Sequence, residues 1–146
     1  MGHYSATGND NAEPVILVHG WGGSFESTWR SSGFADLLED SGREVIGVDL
    51  LGHGQAPKPH EPEAYHDLTQ RILERMPPFP CDVVGFSLGA ITLLQLASTH
   101  PDRVRKLVLA GIGRNAIEAD DSGSHDTIVQ ALEGKVAADN NLARLF

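Results

Sequence analysis

One serine in this chain stands between two glycines: Gly85-Phe86-Ser87-Leu88-Gly89 has the spacing G-x-S-x-G. A β-branched pair, Val83-Val84, precedes it, and a helix-like run follows from Leu88. A strand that turns at once into a helix forces its central residue to positive φ. A side chain at Gly85 or Gly89 would then collide with neighbouring backbone. In return, the hydroxyl stands exposed at the mouth of the sheet. The N-terminal end of the next helix faces any negative charge that develops there. The chemistry offered is nucleophilic attack by an alcohol. A serine hydroxyl is a weak nucleophile, so it needs a base, usually histidine, and a carboxylate to orient that base.

The chain has seven histidines. His3 lies near the start. His19 and His53 sit in loops, where hydrogen bonds that shape the turn are the first reading. His60 and His66 flank or sit in a solvated helix. His100 ends the helix that Ser87 opens; at ~1.5 Å per residue it is some ~15–20 Å away. His125 follows Ser87 in chain order, with Glu118, Asp120 and Asp121 before it, but no strand separates them to fix their geometry. Asp49 ends a strand near the site, with a turn role as the first reading and a triad role as the second. Asp82 opens its strand, at the wrong end of the sheet.

The elements that must position Ser87 are legible as alternating patterns. Short apolar runs at 15–18, 44–48, 82–84 and 104–109 suit strands buried on both faces. Helical spacing covers 25–40, 61–76 and 88–99, with stops at Gly42, Pro77-Pro78 and Pro101. The third of these is apolar on most faces and is expected to be buried. The alternation predicts an α/β fold with a mostly parallel sheet and helices on both faces. Function then collects at the carboxyl ends of the strands. All the unusual local sequences are there: "HGWGG", "DLLGHG" and "GFSLG". Residues 112–126 read as a polar loop, and 127–146 as helices.

In this order and spacing, from Pro14 to Gly111, the chain resembles the α/β-hydrolase fold family. His19-Gly20-Trp21-Gly22-Gly23 resembles the family's oxyanion loop, and Asp49-Leu50-Leu51-Gly52-His53-Gly54 the loop after the next strand. The resemblance implies that Ser87 is the nucleophile and that the main-chain N–H groups of Trp21 and Leu88 hold the oxyanion. It makes His19, Gly20, Gly22, Gly23, Gly85 and Gly89 the supporting residues. It implies a sheet order of second, first, third and fourth strand. The fourth then has one open apolar edge, a hazard unless something covers it. In the family, two further strands cover it, and their loops carry the acid and the base. The expectation is therefore the N-terminal part of a longer serine hydrolase. Residues 1–113 would be core, and 114–146 the start of a helical cap. The base and acid would come from a missing C-terminal segment or a second chain. The implied substrate is a small carboxylic ester, lactone or related carbonyl compound.

Composition narrows the alternatives. Eleven basic residues against 20 acidic ones give a formal charge of −9. No cluster of Lys and Arg suits phosphate contacts, so nucleic acid and anionic membrane surfaces are disfavoured. The Arg103-Val104-Arg105-Lys106 stretch reads as a solvated turn. Cys81 is the single cysteine, read as a small buried hydrophobe. The start carries no apolar signal segment, and no run approaches the ~20 residues of a membrane span, so a cytoplasmic location is expected. No G-x-x-x-x-G-K-[ST] or dinucleotide fingerprint is present, so neither cofactor nor metal is expected. The competing function is a non-catalytic α/β-hydrolase-like binding protein.

Overall fold

The structure, a computed structural model, describes residues 14–114. The elements below belong to a compact unit ending at Ile112. Four strands form one parallel sheet: β1 (Val15–Val18), β2 (Val45–Val48), β3 (Cys81–Phe86) and β4 (Val104–Ala110), in the order β2-β1-β3-β4. This is the expected order. The helices are α1 (Phe34–Asp40), α2 (Thr69–Arg75) and α3 (Leu88–Thr99).

The central strand β1 is buried along its whole length. Its side chains alternate between two cores, because successive residues of a strand face opposite sides. Ile16 and Val18 join Val83, Ile72, Leu93 and Leu96 beneath α2 and α3. Val15 and Leu17 join Trp29 and Ala35 on the other face. Edge strand β4 is covered less well; its Val108 is 51% exposed. Helix α3 buries Ala90, Leu93 and Leu96 but leaves Ile91 and Gln95 exposed, so it is less enclosed than its composition suggests.

Two expected helices are broken. The pattern over 25–40 divides into a π-helical turn, Glu26–Arg30, and α1. Gly33 separates them at φ +80°, a backbone shape that side chains resist. The Ser31-Ser32-Gly33 cluster was the available signal. Arg30 rejoins the two pieces through Asp36 at 2.6 Å and Glu39 at 2.7 Å. The pattern over 61–76 divides into a 3₁₀ turn, Pro62–Tyr65, and α2. Asp67 restarts the helix by accepting hydrogen bonds from the Thr69 N–H and hydroxyl.

The basic stretch 103–106 is no solvated turn. Arg105 and Lys106 lie within β4. Arg105 makes a two-point pair with Asp82 at 2.8 and 2.7 Å, and Arg43 adds a third bond at 2.8 Å. Burial pushes the Asp82 carboxyl up, but the bonds from Arg105 and Arg43 outweigh it and hold the group below its usual range. Asp82 thus closes the end of the sheet remote from Ser87. Cys81 is fully buried, as expected. Among the described residues, no helix is long and apolar enough to cross a membrane. His3, His125, Glu118, Asp120, Asp121 and the helices expected at 127–146 lie outside the described residues.

Candidate active site

Ser87 joins β3 to α3 with φ 52° and ψ −114°. It is the one non-glycine residue at positive φ among those described. The angles mirror an ordinary extended residue, and they match the first central position of a type II′ turn, where glycine dominates. Holding serine there costs about 1–3 kcal/mol. The main chain is pinned on both sides. The Ser87 N–H donates to Ala110 O at 2.9 Å, and Ser87 O accepts from the Ile91 N–H at 3.1 Å. A serine before a helix ordinarily caps it with its hydroxyl. Here the side chain makes no cap bond. The hydroxyl is therefore not spent on the helix.

The flanking glycines are required by close approach. A Cβ on Gly85 would stand 2.6 Å from Gly89 O and 2.7 Å from Ala90 N. A Cβ on Gly89 would enter the carbonyl oxygens of Val18 and His19, at the end of β1. Real Cβ atoms essentially never come so near to backbone. The first turn of α3 therefore rests directly on the loop that follows β1.

That loop reaches Ser87 from its other side. A Cβ on Gly20 would lie 3.1 Å from Ser87 Cβ. The Gly23 N–H donates back to Gly20 O at 3.1 Å, closing a turn with Trp21 at its tip. Gly22 occupies the third position at φ +74° and has open space around it. Its absent side chain serves the turn's conformation. Trp21 is 50% exposed. Trp21 and Leu88 both line a cleft of about 540 Å³, together with Leu51, His53, Tyr65, Leu68 and four glycines.

His19 anchors this loop to the next one. Its Nε2 accepts from the Leu50 N–H at 3.0 Å, so the proton sits on Nδ1, which donates to Gly20 O at 2.7 Å. The ring is fully buried. Burial is the largest influence on it and, with His53 nearby, outweighs the Gly20 bond and Asp49 to lower its pKa. The ring is therefore neutral, and its 3.8 Å approach to Asp49 Oδ1 is no ion pair. Asp49 is a turn residue. Its carboxylate accepts from the Phe25 N–H at 2.7 Å and the Gln55 N–H at 2.8 Å. Burial raises Asp49, but those two bonds, with the nearby Arg71 charge, hold it below the ordinary carboxylate value. Each carboxylate oxygen thus accepts one backbone N–H, which fixes Asp49 in its turn. His100 caps α3 through its main chain.

The lowered pKa of His19 has a consequence for stability. An imidazole that resists protonation when folded binds a proton more readily once unfolded. Its effect is absent well above pH 6.5, the ordinary value. Stability is then lost as the pH falls through and below that value. Urea unfolding at pH 7.5 and at pH 5.5 should show a drop for the wild type. His19→Asn should lower stability at both pH values and shrink the difference between them. An unchanged difference would show that His19 is not the group that resists the proton.

The chain matches the model of the alpha/beta hydrolase fold family over residues 13–144. It is 35% identical over 116 residues to a pimeloyl-[acyl-carrier protein] methyl ester esterase of Neisseria meningitidis serogroup C, a match covering 77% of this chain and 41% of that one. It is 31% identical over 112 residues to an esterase of Mycobacterium tuberculosis, covering 74% and 36%. Among solved structures, a marine microorganism esterase superposes with a TM-score of 0.62 at 27% identity, covering 84% of this chain and 47% of that one. The chain thus spans less than half the length of these relatives. The match over most of its length, with the sheet order and the strand–serine–helix junction, means that the chain belongs to the α/β-hydrolase fold family.

Proposed function

We propose that this chain carries the nucleophile and oxyanion half of a serine hydrolase that cleaves a carboxylic ester. One observation carries the proposal: Ser87 is held in a strained conformation while its hydroxyl makes no cap bond. Strain of this kind persists only where surrounding structure enforces it, and it concentrates at functional sites. Ser87 Oγ attacks the ester carbonyl. The N–H groups of Trp21 and Leu88, two residues that line the same cleft, receive the developing oxyanion. The alcohol leaves, and water then releases the acyl group from Ser87. The cleft lining carries no formally charged side chain, which favours a neutral acyl or alcohol group. The esterase names of the relatives support the same reaction class.

The proton acceptor is neither His19 nor His100 in this scheme: both ring nitrogens of His19 are bonded to backbone, and His100 ends α3, the helix that Ser87 opens. A further segment, or a second chain, supplies base and acid and covers the β4 edge. Two exposed apolar residues mark a sheet face that is also left uncovered. Phe86 is 44% exposed and Val108 51%. Val84 pairs in register with Val108, and Phe86 with Ala110, so the four share one face of the sheet.

A fluorophosphonate probe tests the proposal on the 146-residue chain and on any longer native form. Labelling at Ser87 in the longer form alone is the expected result. Labelling of neither, with small-ligand binding retained in Ser87→Ala, would mean a binding protein instead.

A further inference from the structure

His53 lines the cleft, and the fold fixes it while leaving one of its ring nitrogens unused. His53 is fixed by its own loop. Its N–H donates to Leu50 O at 2.9 Å, and its carbonyl accepts from the Ala56 N–H at 2.9 Å. Its ring Nδ1 lies 3.1 Å from Leu51 O. A carbonyl can only accept, so in the neutral ring Nδ1 carries the hydrogen and Nε2 the lone pair. That Nε2 has no partner among the described residues. The ring packs 5.1 Å from the neutral His19 ring, which limits its rotation without placing a cation beside it. A second polar ring of the lining is already committed, since the Tyr65 hydroxyl donates to Pro59 O at 2.7 Å.

A preset acceptor in an uncharged cleft selects a ligand that brings a donor. We infer that His53 is a specificity-determining residue, whose Nε2 accepts a hydrogen bond from a hydroxyl of a neutral hydroxy-ester bound beside Ser87. The inference rests on the cleft being the ester site proposed above. A pocket with an unpaired acceptor discriminates against the analogue that lacks the donor, because its nitrogen must then lose water without compensation. His53 takes no proton from Ser87 in this assignment; it reads the substrate.

The test separates binding from chemistry. Ser87→Ala protein is titrated with methyl hexanoate and with methyl 2-, 3- and 4-hydroxyhexanoate, and Kd is measured by ligand-detected NMR. At least one hydroxy-ester should bind about threefold to tenfold more tightly than methyl hexanoate, the range of one net hydrogen bond. His53→Phe in the same background should abolish that preference, so that the hydroxy-esters and methyl hexanoate bind this variant alike. His53→Gln, which restores an acceptor, should recover part of the preference. The inference is overturned if no hydroxy-ester is preferred, or if the preference survives His53→Phe. Fluorophosphonate labelling of the Ser87-containing protein is scored separately. Labelling without any hydroxyl preference removes the role of His53 and leaves the hydrolase proposal standing. A preference without labelling in any form does the reverse. Loss of labelling in His53→Phe would place His53 in the chemistry and overturn a purely selective role.

Discussion

Ser87→Ala is expected to abolish fluorophosphonate capture and to lower ester hydrolysis by at least about 10⁴-fold in whichever form of the protein turns over. Its stability should barely change, because alanine suffers the same positive-φ strain as serine. Ser87→Gly should be equally inactive yet more stable. Glycine occupies φ 52°, ψ −114° freely, since these angles mirror an ordinary extended conformation. Relief of about 1–3 kcal/mol of strain, less about 0.5–1 kcal/mol of extra unfolded-state entropy, leaves a gain of about 1 kcal/mol. Urea unfolding of the three proteins measures this. If Ser87→Gly is no more stable than Ser87→Ala, the junction stores no strain, and the argument from strain to function fails. The pairing matters because a serine kept for packing alone would show no such opposition between stability and activity.

Gly89→Ala is expected to cause the largest loss of stability. The new methyl would enter the carbonyls of Val18 and His19 and stand 2.8 Å from the Val18 carbonyl carbon. All three atoms are backbone at the end of the central strand, and none can swing aside like a side-chain tip. Relief requires α3 to move off β1, which opens the core around Leu93 and Leu96. The cost should exceed about 3 kcal/mol, a large share of a typical total of about 5–15 kcal/mol. Gly22→Ala provides the contrast. It meets nothing within 4 Å and is penalised only through its φ of +74°. About 1–2 kcal/mol is expected there. Chemical denaturation ranks the two. Equal losses would mean that the helix is not seated on β1 as tightly as the distances state. Ellman-reagent access to Cys81, buried in the same core as Leu93, offers a second readout of any opening.

The two substitutions bear on one arrangement. The strained serine, the close helix seat and the β1 loop are a single packed unit, in which Gly20, Gly85 and Gly89 keep the contacts between them clear. The loop after β2 joins that unit through His19 and Asp49. Asp49 spends its charge on the N–H groups of Phe25 and Gln55, 24 residues before it and 6 after it. The loop that carries His53 is thereby tied to the turn entering Glu26–Arg30. This is why a residue such as His53 can be held still on a loop without a helix or strand beneath it.

Some of this was legible in the chain alone, because it is written locally. Alternating apolar runs and helical spacing name the strands and helices in order, and G-x-S-x-G names the sharp turn between two of them. The order of three loop motifs along the chain identified the family, and with it the sheet order later seen as β2-β1-β3-β4. Local signals also misled where a pattern ran on through a break. The spacing over 25–40 continues across Gly33 although the backbone does not.

What only the tertiary structure decided are the bonds between residues far apart in sequence. The His19–Leu50 bond spans 31 residues, the Arg43–Asp82 bond 39 and the Arg105–Asp82 bond 23. Periodicity reports which face a residue takes; it does not report what the other element presents there. So the proton on His19, the commitment of Asp49 to backbone and the pairing of Asp82 with two arginines had to await the packed chain. The same holds for the two opposite reasons for glycine, close approach at Gly89 and backbone conformation at Gly22. In sequence they are the same letter, and only the atoms around them distinguish the two.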